Sequence, residues 1–149
     1  MDFISKDKRS KIMRSIKSRD TKPEIYLRKF LFSKGLRYKV AYKKLSGKPD
    51  IAFVSKKLAI FVHGCFWHQH KNCEITNVPA SNSRFWKKKF DANVQRDKNN
   101  LSLIENMGWN VLIIWECEIL DVNRKPRDLH PIMGKITMIT KHSKIGNNH

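Results

Sequence analysis

Cysteine and histidine are concentrated in one short run of this chain, residues 63–73, and this run constrains the fold more than any other feature. The run holds three histidines and two cysteines, and the remaining cysteine lies far downstream at residue 117. Three thiols and one imidazole, the ligand set of a closed structural zinc site, come from Cys65, His70, Cys73 and Cys117. A chain that binds zinc in this way must fold the segment around residue 117 back onto the loop.

The alternative to zinc is a set of three buried free cysteines, which are common because cysteine is readily buried. A polar loop of this composition would bury little without a metal, so the zinc site is favoured. Three cysteines cannot all pair with one another, and two of them alternate with histidine at ligand spacing. Metal binding in a reducing compartment is therefore a better interpretation than a disulfide framework.

The charge of the chain indicates its partner. The 149 residues include 31 Lys and Arg residues and only 13 Asp and Glu residues, which gives a net charge of +18 and a pI near 10.1. This excess predicts a polyanionic partner, with nucleic acid first. No secretory signal, bilayer-spanning run or long basic amphipathic segment with an apolar face is visible, so no membrane partner and a cytoplasmic location are expected.

Hydrophobic periodicity predicts a mixed α/β sandwich with a central sheet. Thr21 and Glu24 form a candidate capping box at the start of a helix that ends at Gly35. A longer helix is predicted over residues 82–107, with an apolar stripe and a stop at Gly108. Strand patterns cover residues 36–42, 50–54, 58–62 and 109–115.

The domain organisation follows from composition. Residues 1–20 form a basic N-terminal arm, and residues 21–120 form the folded domain with the zinc loop 63–73. Residues 121–149 are interpreted as a basic C-terminal tail, partly disordered, with disorder expected in the last ten or so residues.

Asp50 is the first candidate catalytic residue. It begins a predicted strand directly after Pro49, where a carboxylate can bind a divalent cation, as in nucleases of the PD-(D/E)xK type. The following strand lacks the Glu-x-Lys of those enzymes, and His63 occupies that neighbourhood. In isolation, an aspartate in a turn is the simpler interpretation.

Glu24, His63 and His68 are the other candidates for catalysis. Capping alone explains Glu24, although a glutamate at a helix start could also face the sheet edge near Asp50. His63 and His68 are not required by zinc, and imidazoles can take a proton from water or stabilise negative charge. Each alone would be interpreted as a loop histidine bonded to the backbone, but two beside Asp50 favour catalysis.

Aromatic and polar side chains suggest a DNA surface. Phe66, Trp67 and Trp86 either pack beneath the metal or insert between bases, with Met13 of the arm as a further apolar wedge. The long helix offers Lys89 for phosphates, although a solvated face is the default for its lysines. Asn93 and Asp97 border its apolar stripe and face either the interior or bound DNA.

Taken together, these residues resemble the very-short-patch-repair (Vsr) DNA mismatch endonucleases. The resemblance spans roughly residues 8–120 in the correct order, which makes it far more specific than any single motif. Its blocks are 9–16 (RSKIMRSI), 19–24 (RDTKPE), 47–50 (GKPD), 60–68 (IFVHGCFWH), 85–86 (FW), 93–97 (NVQRD) and 108–117 (GWNVLIIWEC).

The resemblance implies a restriction-endonuclease-like three-layer sandwich and a structural zinc. It also implies magnesium-dependent nicking 5′ to the thymine of a T:G mismatch left by deamination of 5-methylcytosine, which initiates very short patch repair. The expected partner is double-stranded DNA with that mismatch, with general mismatch-repair proteins as further candidates. A monomer associated with a bacterial nucleoid is expected.

The resemblance also implies roles for individual residues. Asp50 would bind magnesium together with the backbone of Val62, which stands where some members have threonine. His68 would be the general base, and His63 and Glu24 would order metal-bound water. Zinc would be held by Cys65, His70, Cys73 and Cys117, and the inserting side chains would be Met13, Phe66, Trp67 and Trp86.

Two other functions compete with mismatch nicking. A restriction-type nuclease would cut both strands of undamaged DNA, but it has no use for three wedge aromatics, whose unstacking cost is lowest at a mismatch. A non-catalytic, zinc-stabilised DNA-binding module would need no cluster of Asp50, His63 and His68.

Overall fold

The structure is a computed structural model that describes residues 20–73, 76 and 79–146. Most of the basic arm, including Met13, lies outside the described residues. The helices are α1 (Lys22–Ser33), α2 (Ser83–Asn106), α3 (Glu116–Ile119) and α4 (His130–Gly146), and the strands are β1 (Lys39–Val40), β2 (Ile51–Phe53), β3 (Leu58–His63) and β4 (Asn110–Trp115).

The four strands of the described residues form one mixed sheet in the order β1-β2-β3-β4. β1 and β2, and β2 and β3, pair antiparallel, whereas β3 and β4 pair parallel. A parallel pair needs a crossover connection, and the chain makes it through α2. The mixed α/β prediction is therefore confirmed, with β1 much shorter than the expected strand 36–42.

Alternation along β3 gives the sheet two buried faces. Leu58 and Ile60 pack into a large cluster with Leu27 and Leu31 of α1 and with residues of α4. Ala59, between them, packs against α2 in a second cluster with Ile104. Because successive side chains of a strand point to opposite faces, the sheet lies between α1 and α4 on one side and α2 on the other.

The long helix occurs where the apolar stripe places it. The predicted range 82–107 becomes Ser83–Asn106, and Gly108 follows with a φ of +84°. Trp86, Phe90 and Ile104 are its buried residues. Their spacing keeps one face of α2 against the sheet and leaves Lys87, Lys88 and Lys98 in solvent.

The segment after residue 120 differs from the expected tail. Residues 130–146 form α4, and Leu129, Ile132 and Ile136 are almost completely buried in the main cluster. The three apolar residues recur at helical spacing, a signal that Pro126, Pro131 and the scattered charge obscured. The folded unit thus extends well beyond residue 120.

The start of α1 also differs in detail from the predicted capping box. Thr21 is the N-cap residue, but within the described structure its side chain makes no capping hydrogen bond. The Glu24 carboxylate instead accepts a hydrogen bond of 2.8 Å from the Asp20 backbone N–H. Glu24 is nevertheless buried, with 6% of its surface exposed, which a capping role alone does not require.

Candidate active site and metal centre

The register of the parallel strand pair brings the distant cysteine to the loop. His63, the last residue of β3, pairs with Trp115, the last residue of β4. Cys65 and Cys117 each follow two residues later in the sequence. The carboxyl ends of two parallel strands lie at the same edge of the sheet, so the segments that follow β3 and β4 leave the sheet together. The two thiols therefore converge.

The four predicted zinc ligands form one cluster. Their donor atoms all lie within 4.8 Å of one another. The Nδ1 atom of His70 lies 3.7 Å from Cys65 Sγ and 3.4 Å from Cys117 Sγ. Two ligands of a tetrahedral zinc, with bonds of about 2.3 Å to sulfur and 2.0–2.1 Å to nitrogen, are separated by about 3.6 Å. The donor atoms of His70, Cys65 and Cys117 are thus already spaced as two ligand pairs of such an ion would be.

Local contacts fix the orientation of these ligands. The His70 ring stacks on Trp115, with ring centroids 4.1 Å apart and planes 10° from parallel. The Cys65 carbonyl accepts hydrogen bonds from the His70 N–H and from Thr76 Oγ1. Burial raises the pKa of the Cys65 and Cys117 thiols. A bound cation would offset this effect, because metal coordination favours the thiolate.

A cleft of about 1020 Å³ opens beside this cluster. Five of the expected site residues line it, namely Glu24, Val62, Trp67, His68 and Lys89, whereas Asp50 and His63 do not. The cations on its rim are Lys22, Lys29, Lys89 and Arg124. The cleft thus combines acidic and imidazole groups with a basic border, which suits a reaction on an anionic polymer.

A tight turn precedes Asp50, which lies beside Val62 rather than among the residues that line the cleft. Gly47 has a φ of +78°, and a Cβ atom there would lie only 2.6 Å from Asn100 Nδ2. Ser46 Oγ donates to Asn100 Oδ1 at 2.7 Å, which fastens the turn to α2. Only glycine combines this backbone angle with so close an approach.

The Asp50 carboxylate binds the neighbouring strand. Its Oδ2 atom accepts a hydrogen bond of 2.7 Å from the Val62 backbone N–H. Burial raises the pKa of Asp50 to about 7, and the nearby Glu24 carboxylate contributes to the rise. Burial also raises the pKa of Glu24. A divalent cation would relieve this arrangement of two partly desolvated carboxylates, in which Glu24 raises the proton affinity of Asp50.

His68 is held between two partners. Its Nδ1 atom lies 2.6 Å from Asp97 Oδ2, and its ring stacks on His63 with centroids 3.8 Å apart and planes 7° from parallel. An ionised carboxylate only accepts hydrogen bonds, so Nδ1 carries the proton and Nε2 keeps its lone pair. His68 therefore has the tautomer of a base whose second nitrogen is free to accept a proton.

His63 lies behind His68, towards α2. It is 6% exposed, and among the described residues its Nδ1 atom has no hydrogen-bond partner. Burial, together with the adjacent His68 imidazole, lowers the pKa of His63 to about 4. The ring is therefore neutral at physiological pH, and its contact with His68 is the stacking itself.

The three expected wedge aromatics form one cluster with Phe90. Phe66 is in edge-to-face contact with Trp67, Trp86 and Phe90 at centroid distances of 5.1–5.5 Å. Phe66 and Trp67 are half-buried, whereas Trp86 is 5% exposed. Trp67 also faces the cleft, where Lys89 Nζ lies 5.3 Å from its ring centroid.

Sequence reasoning missed two features of the site. Asp97 was assigned to the interior or to DNA, but its carboxylate contacts His68. Asn93 likewise donates to the Trp67 carbonyl at 3.1 Å and so supports the loop. Glu116 and Arg124 also line the cleft, although neither was a candidate site residue and only Glu116 lies in one of the family blocks. The proximity of Glu116 to the metal loop through Cys117 was the one available signal.

The chain matches the sequence model of a family described as DNA mismatch endonuclease Vsr over residues 1–75. It is 43% identical over 118 residues to the type II nicking enzyme V.NmeAIP of Neisseria meningitidis, covering 79% of this chain and 84% of the relative. The type II nicking enzyme V.XorIIP of Xanthomonas oryzae is 38% identical over 132 residues, 89% of this chain and 96% of the relative.

A third relative is the DNA mismatch endonuclease Vsr of Escherichia coli. It is 42% identical over 118 residues, which cover 79% of this chain and 75% of the relative. The three matches each cover most of this chain and most of the relative.

Proposed function

This chain belongs to the family of Vsr DNA mismatch endonucleases, and from this premise we propose that it nicks one DNA strand 5′ to the thymine of a T:G mismatch. Such mismatches arise when 5-methylcytosine is deaminated, and the nick would initiate very short patch repair. The family's restriction-endonuclease-like fold accords with the mixed sheet between helical layers.

The observation that carries this proposal is the His68–Asp97 pair at the edge of a basic cleft. The attacking water gives its proton to Nε2 of His68 while Nδ1–H remains bonded to the Asp97 carboxylate. That carboxylate fixes the tautomer and stabilises the imidazolium that forms. The neutral His63 ring stacks on one face of the His68 ring, while Asp97 contacts the ring edge at Nδ1.

Asp50 would bind a catalytic magnesium ion together with the Val62 backbone, and Glu24 would order the water around it. The ion would supply a positive charge that stabilises the negative charge developing on the phosphate. Asp50 Oδ2 already accepts the Val62 N–H, which orients the carboxylate. The raised pKa of Asp50 fits a site intended for a cation.

The cluster of three thiols and His70 would bind a structural zinc. Its role is architectural, because it joins the end of β4 to the loop that carries His68. All four ligands come from the protein, so no position is left open for substrate. This separates the zinc site from the catalytic site next to it.

The aromatic cluster would recognise the mismatch. Trp67 lies on the cleft wall and is supported by Phe66, so it is placed to insert where the base stack is already weak. Trp86 is buried under both rings, and its insertion would need the cluster to open. Met13 of the arm remains a proposed additional wedge. The proposed unit of action is a monomer.

A strand-resolved nicking assay tests the proposal. The protein and magnesium are incubated with a matched duplex and a T:G duplex, each labelled in turn on either strand. We expect a single nick, on the thymine strand of the mismatched duplex only. Cleavage of both strands of matched DNA would establish a restriction-type nuclease. Binding without cleavage in magnesium would establish a non-catalytic DNA-binding module.

A further inference from the structure

The loop between α3 and α4 forms part of the cleft wall, although the sequence analysis placed it in the tail. Asp121 Oδ1 accepts the backbone N–H groups of Asn123 and Lys125 at 2.8 and 2.9 Å. The Asp121 N–H also donates to the Lys125 carbonyl at 2.8 Å. The loop is therefore closed by its own hydrogen bonds, and its central residues have a fixed conformation.

Arg124 occupies the tightest point of this loop. Its φ is +60°, a left-handed conformation that costs free energy for a residue with a Cβ atom. Its backbone N–H donates to the Asp121 carbonyl at 2.8 Å. Glycine would adopt this angle more readily, so the loop geometry does not explain why an arginine stands here.

Two hydrogen bonds fasten the loop to α1. Lys22 Nζ donates to the Arg124 carbonyl at 3.0 Å, and Tyr26 Oη donates to the Arg127 carbonyl at 3.2 Å. Helix α1 also carries Glu24, which lines the cleft. Arg124 is thus held at a fixed position relative to the proposed catalytic groups.

The Arg124 guanidinium faces the cleft with only a weak partner. Its Nη1 atom lies 3.5 Å from Glu116 Oε2, and the Arg124 side chain is 56% exposed. The Glu116 side chain is 17% exposed, but an ion pair of this length whose arginine lies largely in solvent contributes little to stability. A phosphate group could therefore replace Glu116 as the partner of the guanidinium at small cost.

We propose that Arg124 binds a backbone phosphate of the DNA strand that enters the cleft, so that the loop 121–127 is part of the DNA-binding surface. The proposal rests on the proposed function, which supplies DNA as the polymer. Arginine suits this role because its planar guanidinium makes two parallel hydrogen bonds to one phosphate. Lys22, Lys29 and Lys89, which also line the cleft, add attraction without this geometry.

DNA binding measured by fluorescence anisotropy at several salt concentrations tests the proposal. Magnesium is left out so that no strand is cut. Arg124→Gly removes the guanidinium while easing the left-handed backbone, so the loop is retained, and an unchanged Tm verifies this. Each phosphate contact contributes about 0.9 to the slope of log K against log [salt]. We expect Arg124→Gly to make the slope less steep by about this amount, and by the same amount for matched and T:G duplexes.

Two variants serve as matched controls. Lys125→Ala removes the same charge from the next residue, which is exposed and does not line the described cleft, and should leave the slope within about 0.3 of wild type. Arg124→Lys should keep the slope but bind several-fold more weakly. An unchanged slope in Arg124→Gly, or an equal loss in Lys125→Ala, would overturn the proposal.

The nicking assay on the same proteins separates this inference from the proposed function. If wild type nicks T:G duplexes and Arg124→Gly binds as wild type does, only the phosphate site is wrong. If wild type binds DNA but does not nick it, the proposed function fails. The phosphate site would still stand if the slope of log K against log [salt] became less steep in Arg124→Gly but not in Lys125→Ala.

Discussion

His68 Nδ1 and Asp97 Oδ2 lie 2.6 Å apart, and this contact joins the metal-loop histidine to the long helix. It would allow Asp97 to orient His68 as the proposed base, whereas the pattern of the helix alone suggested a residue facing the interior or DNA. The pair provides a direct test of the proposed chemistry. An asparagine at position 97 has nearly the same shape as aspartate but can donate a hydrogen bond to His68 Nδ1 instead of accepting one.

Asp97→Asn should lower the rate of nicking by about 10²- to 10⁴-fold. The asparagine amide can donate to Nδ1, which would move the ring proton to Nε2 and remove the base. Single-turnover nicking of a T:G duplex measures the effect. Asp91→Asn, the same change at an exposed position of α2, should retain full activity. A loss of DNA binding with the normal rate at saturating protein would instead make Asp97 a DNA contact.

Asp50→Asn should abolish magnesium-dependent nicking but leave metal-free DNA binding and zinc content unchanged. The amide keeps an oxygen that can accept the Val62 N–H, so the fold is retained, while the charge that would hold the cation is lost. Nicking, anisotropy and elemental analysis measure the three properties. Activity at the wild-type level in this variant would refute the assignment of Asp50 to the active site.

The same variant should be more stable than wild type in magnesium-free buffer at pH 8. The folded state raises the pKa of Asp50 from 3.8 to about 7, so the native protein binds this proton more tightly than the unfolded chain. The contribution of Asp50 to the free energy of unfolding therefore falls as pH rises from about 4 to 7 and stays low above it.

At about 1.4 kcal/mol per pKa unit, ionisation of the buried Asp50 carboxylate lowers the free energy of unfolding at pH 8 by at most roughly 4 kcal/mol. We expect Asp50→Asn to raise the Tm by several degrees at pH 8 and to lose this advantage at pH 4. Calorimetry at both pH values measures the difference. Equal Tm differences at the two pH values would show that Asp50 is not desolvated.

Cys117→Ser should be a folding lesion rather than a catalytic one. It removes one of four ligands and releases the end of β4 from the loop that carries His68. The metal content should fall, and the Tm should drop by ten degrees or more, since structural zinc sites contribute about 10 kcal/mol or more to small domains. Treatment of wild type with a strong chelator should reproduce the Tm of the variant. Wild-type protein purified without stoichiometric zinc would refute this prediction.

Trp67→Ala should reduce discrimination between T:G and matched duplexes more than it reduces overall affinity. Affinity comes largely from phosphate contacts of Lys and Arg, which do not sense the mismatch, whereas an inserted indole gains most where stacking is weak. The salt slope should therefore stay near wild type. Phe85→Ala, an exposed aromatic that does not line the described cleft, is the matched control. An equal loss of affinity for both duplexes would place Trp67 in the loop core.

The sequence alone predicted most of the elements up to residue 120, and it proposed the ligand set. Helical spacing located α2 to within a residue at each end, and two short apolar runs on either side of the turn at residues 55–57 located β2 and β3. Residue type and spacing identified the four thiol and imidazole donors, because that chemistry has few other uses in a reducing compartment. These features are local, or follow from residue chemistry, so no tertiary information was needed.

Only the tertiary structure decided which groups touch. The pairing of His63 with Trp115 set where the metal donors meet, and the packing of α2 on the sheet placed Asp97 against His68 rather than in solvent. The closure of the loop 121–127 against α1 brought Arg124 to the cleft. Each of these contacts joins residues far apart in sequence, and depends on strand register and helix packing, which no local pattern encodes.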